Sequence, residues 1–171
     1  MTGAAAATAA DAAWVALGAN LGERRAALAA LRGLLAGDGV HLEAASPELV
    51  TRAVGVERQP DFRNQVVLLR ADAPRGPAAW LAHLRAAEHA AGRRPTYRWG
   101  PRRADADLLL LGRDGQVRVA TADLTVPHPG LGDRPFLCAL LAAVAPDLRH
   151  PDGWRFADRA GHLLGGPPGA V

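Results

Sequence analysis

The chain has no lysine and no isoleucine, a single cysteine and a single tyrosine, and aromatic residues make up only 5% of its 171 positions. One cysteine, Cys138 in an apolar run, excludes a disulfide framework and leaves a reducing compartment or simple burial. Every basic side chain is an arginine or a histidine. With the missing isoleucine and the abundant alanine this reads as genome-wide composition bias, so no arginine is informative merely for being one. No apolar run approaches the ~20 residues of a membrane span. The alanine-rich opening, Met1 to Ala13, lacks a basic region, so a secretory signal is not expected and the cytoplasm is the default location. No internal repeat or linker stands out, and 171 residues suit one domain with a proper core. The net charge of +3 favours anionic ligands slightly and falls short of a nucleic-acid footprint, although the pI of 10.3 keeps that class in view.

The most informative stretch runs from Arg98-Trp99-Gly100-Pro101-Arg102-Arg103 through Ala104-Asp105-Ala106-Asp107 into Leu108-Leu109-Leu110-Leu111. A short apolar run bounded by Gly112 predicts a buried strand. On a strand, Asp105 and Asp107 project from one face; on a helix they would point roughly 200° apart and could not share a ligand. Such a pair of hard oxygen donors suits magnesium, which takes one or two carboxylates and completes its shell with water and phosphate. Guanidinium forks from Arg98, Arg102 and Arg103 match phosphate oxygens, so the segment points to phosphoryl chemistry. For an arbitrary Asp-x-Asp, a surface ion-pair cluster is the commoner outcome. Trp99 in a Gly-Pro turn shifts the balance, being badly placed for a core and well placed to line a pocket.

The remaining elements follow in order. Residues 1–11 read as a disordered leader, 12–164 as the domain and 165–171 as a loose tail. Trp14 to Leu17 reads as a strand stopped by Gly18-Ala19-Asn20-Leu21-Gly22. Leu28, Leu31, Leu34 and Leu35 predict a helix over Glu23 to Ala36. Val40 to Ala45 reads as a strand, Ser46 to Asp61 as a long loop, and Phe62 to Leu69 as a strand. Trp80, Leu81, Leu84, Ala87 and Glu88 share one side of a helix over Gly76 to Ala91; Glu88 at its end is either a solvated terminus or a carboxylate aimed into a pocket, and spacing alone favours the first. A turn at Arg113 to Gln116 precedes Thr125-Val126-Pro127-His128-Pro129, whose prolines hold His128 in an extended loop. Asp133 is expected to cap a helix over Arg134 to Ala145, with a short helix from Phe156 to Leu164 after it. The order is that of an α+β sheet with helices packed on it.

Four separated segments together carry a resemblance. They are Ala16-Leu17-Gly18-Ala19-Asn20-Leu21-Gly22; Gln59-Pro60-Asp61-Phe62-Arg63-Asn64; Arg98-Trp99-Gly100-Pro101-Arg102 leading to Asp105-x-Asp107; and Val126-Pro127-His128-Pro129 with Arg134-x-Phe136. In this order, over about residues 14 to 153, the chain resembles the 6-hydroxymethyl-7,8-dihydropterin pyrophosphokinases of folate synthesis. The resemblance implies a ferredoxin-like α+β sandwich with a mainly antiparallel sheet and long substrate-binding loops. It also implies transfer of pyrophosphate from ATP to the pterin's hydroxymethyl group with release of AMP. By motif, Asp105 and Asp107 would hold two magnesium ions, and Arg93, Arg98, Arg102, His128 and Arg134 would face the triphosphate. Arg93 and Arg102 would join the aspartates in catalysis, while Glu88, Thr125 and Trp99 would help place the nucleotide. Phe62 and Phe136 would stack on the pterin, Asn64 with the backbone near Thr51 and Val54 would bond its amide edge, and Trp99 would close over it. The implied partners are pterin and ATP, with no nucleic acid or membrane, and the implied state is a monomer.

The chain departs from the family pattern in places. Ala104-Asp105-Ala106-Asp107 stands where the family has bulkier neighbours of the aspartates, Ala19 where serine is commoner, Thr51-Arg52 where Thr-Pro is usual, and Pro95 where a second loop arginine is expected. The thinned volume beside Asp105 keeps a second reading, a weak or silent relative that binds pterin or nucleotide as a sensor or partner domain. A third, an RNA-binding domain on a ferredoxin-like sheet, lacks the aromatic strand it needs.

Overall fold

Val66-Val67-Leu68-Leu69 is apolar on both faces, and a strand of that kind belongs in the middle of a covered sheet. The computed structural model describes residues 8–52, 60–92 and 104–161. In chain order the elements are β1 (Ala10–Ala19), α1 (Arg24–Leu35), β2 (Val40–Ala45), β3 (Leu49–Thr51) and β4 (Phe62–Arg75), then α2 (Pro77–Ala90) and β5 (Asp105–Leu111). β6 (Val119–Ala120), β7 (Thr125–Val126), α3 (Pro135–Val144) and α4 (Phe156–Arg159) complete them. The main sheet runs β2-β4-β1-β5, with β3 on the same edge of β4 as β2, and every pairing is antiparallel. Taking β2 and β3 as one bent edge, this is the βαββαβ arrangement of the expected ferredoxin-like sandwich. β6 and β7 form a separate two-stranded ribbon.

Side chains alternate along each strand and sort into two cores. Val15, Leu17, Val67, Leu69, Ala106 and Leu108 meet Leu28, Leu31 and Leu35 of α1 and Trp80, Leu84 and Ala87 of α2. On the opposite face Trp14, Val66, Leu68 and Leu109 meet Leu137, Cys138, Leu140 and Leu141 of α3 and Phe156 of α4. The two tryptophans buried among the described residues each give their one polar atom a partner, as burial demands: Trp14 Nε1 donates to Arg113 O at 3.2 Å and Trp80 Nε1 to Ala10 O at 3.0 Å. Cys138 is fully buried, and desolvation pushes its thiol pKa up. No helix among the described residues is long and apolar enough to cross a membrane.

Several expectations change. β1 begins at Ala10 because β4, running on to Arg75, pairs with it that far. The expected loop after Ala45 contains β3, too short to show a period of its own. Leu34 is exposed, since it lies about 60–120° around the helix from Leu28, Leu31 and Leu35 at about 100° per residue. The residue at the N-cap of α3 is Arg134, not Asp133, and it makes no side-chain capping bond. α4 ends at Arg159 rather than Leu164.

Candidate active site

Strand register builds the site floor. Gly18 of β1 pairs with Asn64 on one side and Asp105 on the other, and Leu49 of β3 lies beyond Asn64. In the next row on the same face Ala16 pairs with Val66 and Asp107. With strands about 4.8 Å apart, Asn64 and Asp105 stand about 10 Å from each other across a glycine. The floor between them is Gly18 and Ala16, so the sheet carries a shallow trough with an amide wall and an acidic wall. A Cβ placed on Gly18 would lie 3.5 Å from Asn64 Oδ1 and 3.9 Å from Phe62 Cδ1, which shows that both side chains border the trough.

Phe62 pairs with Thr51, and both are half-buried. Asn64 Nδ2 donates to Thr51 Oγ1 at 2.7 Å and to Leu49 O at 3.5 Å. With its amino group so engaged, the amide presents Oδ1 over Gly18 as an acceptor. Asn20, buried at the end of β1, donates from Nδ2 to Pro60 O at 3.4 Å and sets where the chain enters β4.

Asp105 and Asp107 lie on the trough face, as the period of two predicts, and both are half-buried. Ala104 and Ala106 are buried in the α1/α2 core, so the smaller neighbours are packed over rather than left open. Glu88 is a correction. It is 5% exposed, not a solvated terminus, and its Oε1 accepts from Ala106 N–H at 2.7 Å. That amide sits between the two aspartates on the edge of β5 not taken by β1. The signal available in the sequence was that Glu88 shares the apolar side of α2 with Leu84 and Ala87. Among the described residues no three His, Cys, Asp or Glu side chains cluster as a metal cage. Two adjacent hard-oxygen donors at an open trough nonetheless fit magnesium, which draws its other ligands from phosphate and water.

The third wall comes from the segment after β7. His128 N–H donates to Leu109 O at 2.9 Å, which ties this segment to β5. Gly130 N–H donates to His128 Nδ1 at 3.2 Å, leaving the ring proton on Nε2. Burial pushes the His128 pKa down and the Arg134 charge adds to this, while Asp105 opposes them. The imidazole is therefore a neutral donor placed near both Arg134 and Asp105. The Arg134 guanidinium folds over Gly130, and Phe136, half-buried, packs against the core of the trough face. Thr125 is exposed on β7. Beside it opens a cleft of about 660 Å³ reaching Thr125, His128, Arg118, Trp154 and Arg159. The aspartates and Phe62 lie outside that cleft, so strand register, not the cleft, defines the site. Arg118 pairs with Asp152 at 2.6 Å, and Arg159 covers the Trp154 ring at 3.8 Å, contacts that sequence reasoning did not anticipate. Val54, Arg93, Arg98, Trp99 and Arg102 lie outside the described residues.

A family model, 7,8-dihydro-6-hydroxymethylpterin-pyrophosphokinase, matches residues 14–146. The chain is 40% identical over 141 residues to the 2-amino-4-hydroxy-6-hydroxymethyldihydropteridine pyrophosphokinase of Pseudomonas aeruginosa, covering 82% of this chain and 84% of that one. It is 35% identical over 137 residues to the Bacillus subtilis protein of the same name, covering 80% and 79%. The described fold matches a crystal structure of an HPPK-DHPS in complex with substrates at TM-score 0.67 and 11% identity, over 91% of this chain and 45% of that one. It matches Plasmodium falciparum HPPK-DHPS at TM-score 0.63 and 12% identity, over 90% of this chain and 44% of that one. At such identities the solved structures show the fold alone, and this chain spans less than half of each.

Proposed function

We infer that this chain, which belongs to the 7,8-dihydro-6-hydroxymethylpterin-pyrophosphokinase family, transfers pyrophosphate from ATP to the hydroxymethyl group of 6-hydroxymethyl-7,8-dihydropterin in folate synthesis. The hydroxymethyl oxygen attacks the β-phosphorus, the bond from that phosphorus to the α,β-bridging oxygen breaks, AMP leaves and the hydroxyl proton passes to solvent. Such a reaction asks the protein mainly for positioning and for charge stabilisation. The observation that carries the site assignment is the row Asn64, Gly18, Asp105, which sets an amide reader and an acidic pair at opposite ends of one glycine floor.

In this reading Asn64 Oδ1 accepts from the pterin's amide and amine edge, and Thr51 and the backbone near Val54 extend that edge. Phe62 and Phe136 stack on the ring system, with Trp99 closing over it. Asp105 and Asp107 hold magnesium, which when bound offsets the charge of the ATP phosphates. Glu88 holds the strand between them through Ala106 N–H and, with Thr125, borders the nucleotide. His128 donates from Nε2 to a phosphate oxygen and Arg134 pairs with the same chain of phosphates. Arg93, Arg98 and Arg102 complete the clamp. The protein works as a monomer in the cytoplasm. In support, the large apolar side chains exposed among the described residues are Leu21, Leu34, Leu42 and Val50, on four different elements or turns.

The test is product identity. With ATP and the hydroxymethylpterin, AMP and pterin diphosphate are expected in equal amounts, and no AMP without the pterin. Formation of ADP, or binding of both substrates without turnover, would overturn the assignment, the latter in favour of a binding-only relative.

A further inference from the structure

We propose that Glu48 is a positioning residue for the heterocycle end of the trough: it clamps β3 against α1 and β4 and so keeps Thr51 beside Asn64. The inference rests on the pterin lying in the trough as assigned above. β3 has three residues and, among the described residues, pairs on one edge alone. So short an edge strand frays unless something else holds it. Along it side chains alternate, so Leu49 and Thr51 share the trough face with Asn64 while Glu48 turns to the opposite face.

There the Glu48 carboxylate bridges two guanidiniums. Its Oε1 lies 3.4 Å from Arg32 Nη1 of α1, and its Oε2 accepts from Arg63 Nη1 of β4 at 3.0 Å. The two arginine side chains are 28% and 18% exposed, well short of free solvation. Further bonds close the corner between β2 and β3. Arg32 Nη1 donates to Gln65 Oε1 at 2.6 Å, and Gln65 Nε2 donates to Ser46 O at 2.7 Å. Ser46 N–H donates to Val66 O at 2.8 Å, while its Oγ accepts from Val66 N–H at 2.9 Å.

Removing the carboxylate leaves two poorly solvated positive charges converging on one point, and Arg63 Nε is already buried without a hydrogen-bond partner among the described residues. The arginines separate and the root of β3 opens. The consequence appears on the other face, because the orientation of the Asn64 amide depends on Thr51 Oγ1 and Leu49 O staying where β3 holds them. An amide free to turn offers Nδ2 to the trough as readily as Oδ1, and the pterin edge then meets the wrong group. The acidic pair lies on β5, separated from β3 by both β4 and β1, and keeps its aim. The loss therefore falls on pterin binding and spares ATP.

Steady-state kinetics on Glu48→Ala, Glu48→Gln and Asn64→Ala, with thermal melts of each, test this. Glu48→Ala is expected to raise KM for the hydroxymethylpterin about tenfold while KM for ATP and kcat stay within about twofold, a split that general loosening would not give. Glu48→Gln keeps a hydrogen-bond acceptor for one arginine and is expected to recover most of the loss. It folds under milder stress, so it alone decides the matter if Glu48→Ala does not fold, through a rise in pterin KM of about threefold. Pterin and ATP KM values rising together, or neither rising, overturn the clamp. If Asn64→Ala raises pterin KM and the Glu48 variants do not, the clamp alone falls. If Asn64→Ala also leaves pterin KM unchanged, the trough assignment falls and takes the clamp with it.

Discussion

Substituting Gly18 by alanine separates stability from function in opposite directions. Gly18 lies inside β1 and is not among the glycines with positive φ, so an L side chain is tolerated there. The new Cβ would meet Asn64 Oδ1 at 3.5 Å and Phe62 Cδ1 at 3.9 Å, both ordinary contacts. Among the described residues nothing resists it, and reduced freedom of the unfolded chain stabilises the fold by about 0.5–1 kcal/mol. For a domain of this size about 2–4 °C of Tm accompanies each kcal/mol, so Tm is expected to rise by about 1–4 °C. In the proposed binding mode the same methyl stands in the floor under the pterin. Overfilling a fitted site costs about 1–3 kcal/mol, which is roughly a 5- to 150-fold rise in pterin KM, with KM for ATP little changed. Calorimetry and AMP-coupled kinetics on one preparation read both numbers. A Tm that falls by several degrees, or an unchanged pterin KM, would refute the reasoning, the second because it would mean nothing lies over Gly18.

Glu88→Ala is expected to cost about 1–3 kcal/mol in denaturant unfolding and to depress activity, because the buried Ala106 N–H loses its acceptor. Glu88→Gln keeps an acceptor and should lose less of both. Phe62→Ala is expected to raise pterin KM by about 0.5–1.5 kcal/mol beyond the lost contact area, while Phe62→Tyr keeps it near wild type in the same assay. For pH, burial pushes both His128 and His150 below the ordinary value of 6.5, so the folded state favours their neutral forms. Below that value the unfolded chain takes up protons the folded chain resists, so their contribution to stability is complete above about pH 6.5 and is lost as pH falls through the lowered values. Melts between pH 7.5 and 5 should show Tm declining, and His150→Gln should flatten the decline.

What could be read from the sequence follows from period and length. Asp105 and Asp107 share one face because a strand has a period of two whatever its neighbours, and α1 and α2 are legible because helical spacing over a dozen residues is distinctive. β3 was hidden because three residues carry no period, and its strand character comes from pairing with Phe62–Asn64. The burial of Glu88 escapes a reading by spacing because burial of a carboxylate depends on a partner, here an amide 18 residues away. β6 and β7 are two residues each and exist through their mutual pairing. The roles of Gly18 and Glu48 needed the strand register: only when Gly18 is set between Asn64 and Asp105 does its missing side chain become a floor. Arg134 displaced Asp133 at the start of α3, so a capping residue one position early does not cap.

Joint action of the two β5 carboxylates on a divalent cation at the acidic wall of the trough is the step on which the proposed function turns. It is tested most directly by titrating magnesium into wild type, Asp105→Asn and Asp107→Asn at saturating ATP and pterin, with a melt of each protein. Either substitution is expected to cut AMP formation by about 100-fold or more and to raise the magnesium needed for half-maximal rate, with Tm near that of wild type. A variant that forms AMP at the wild-type rate with the wild-type magnesium dependence would contradict it.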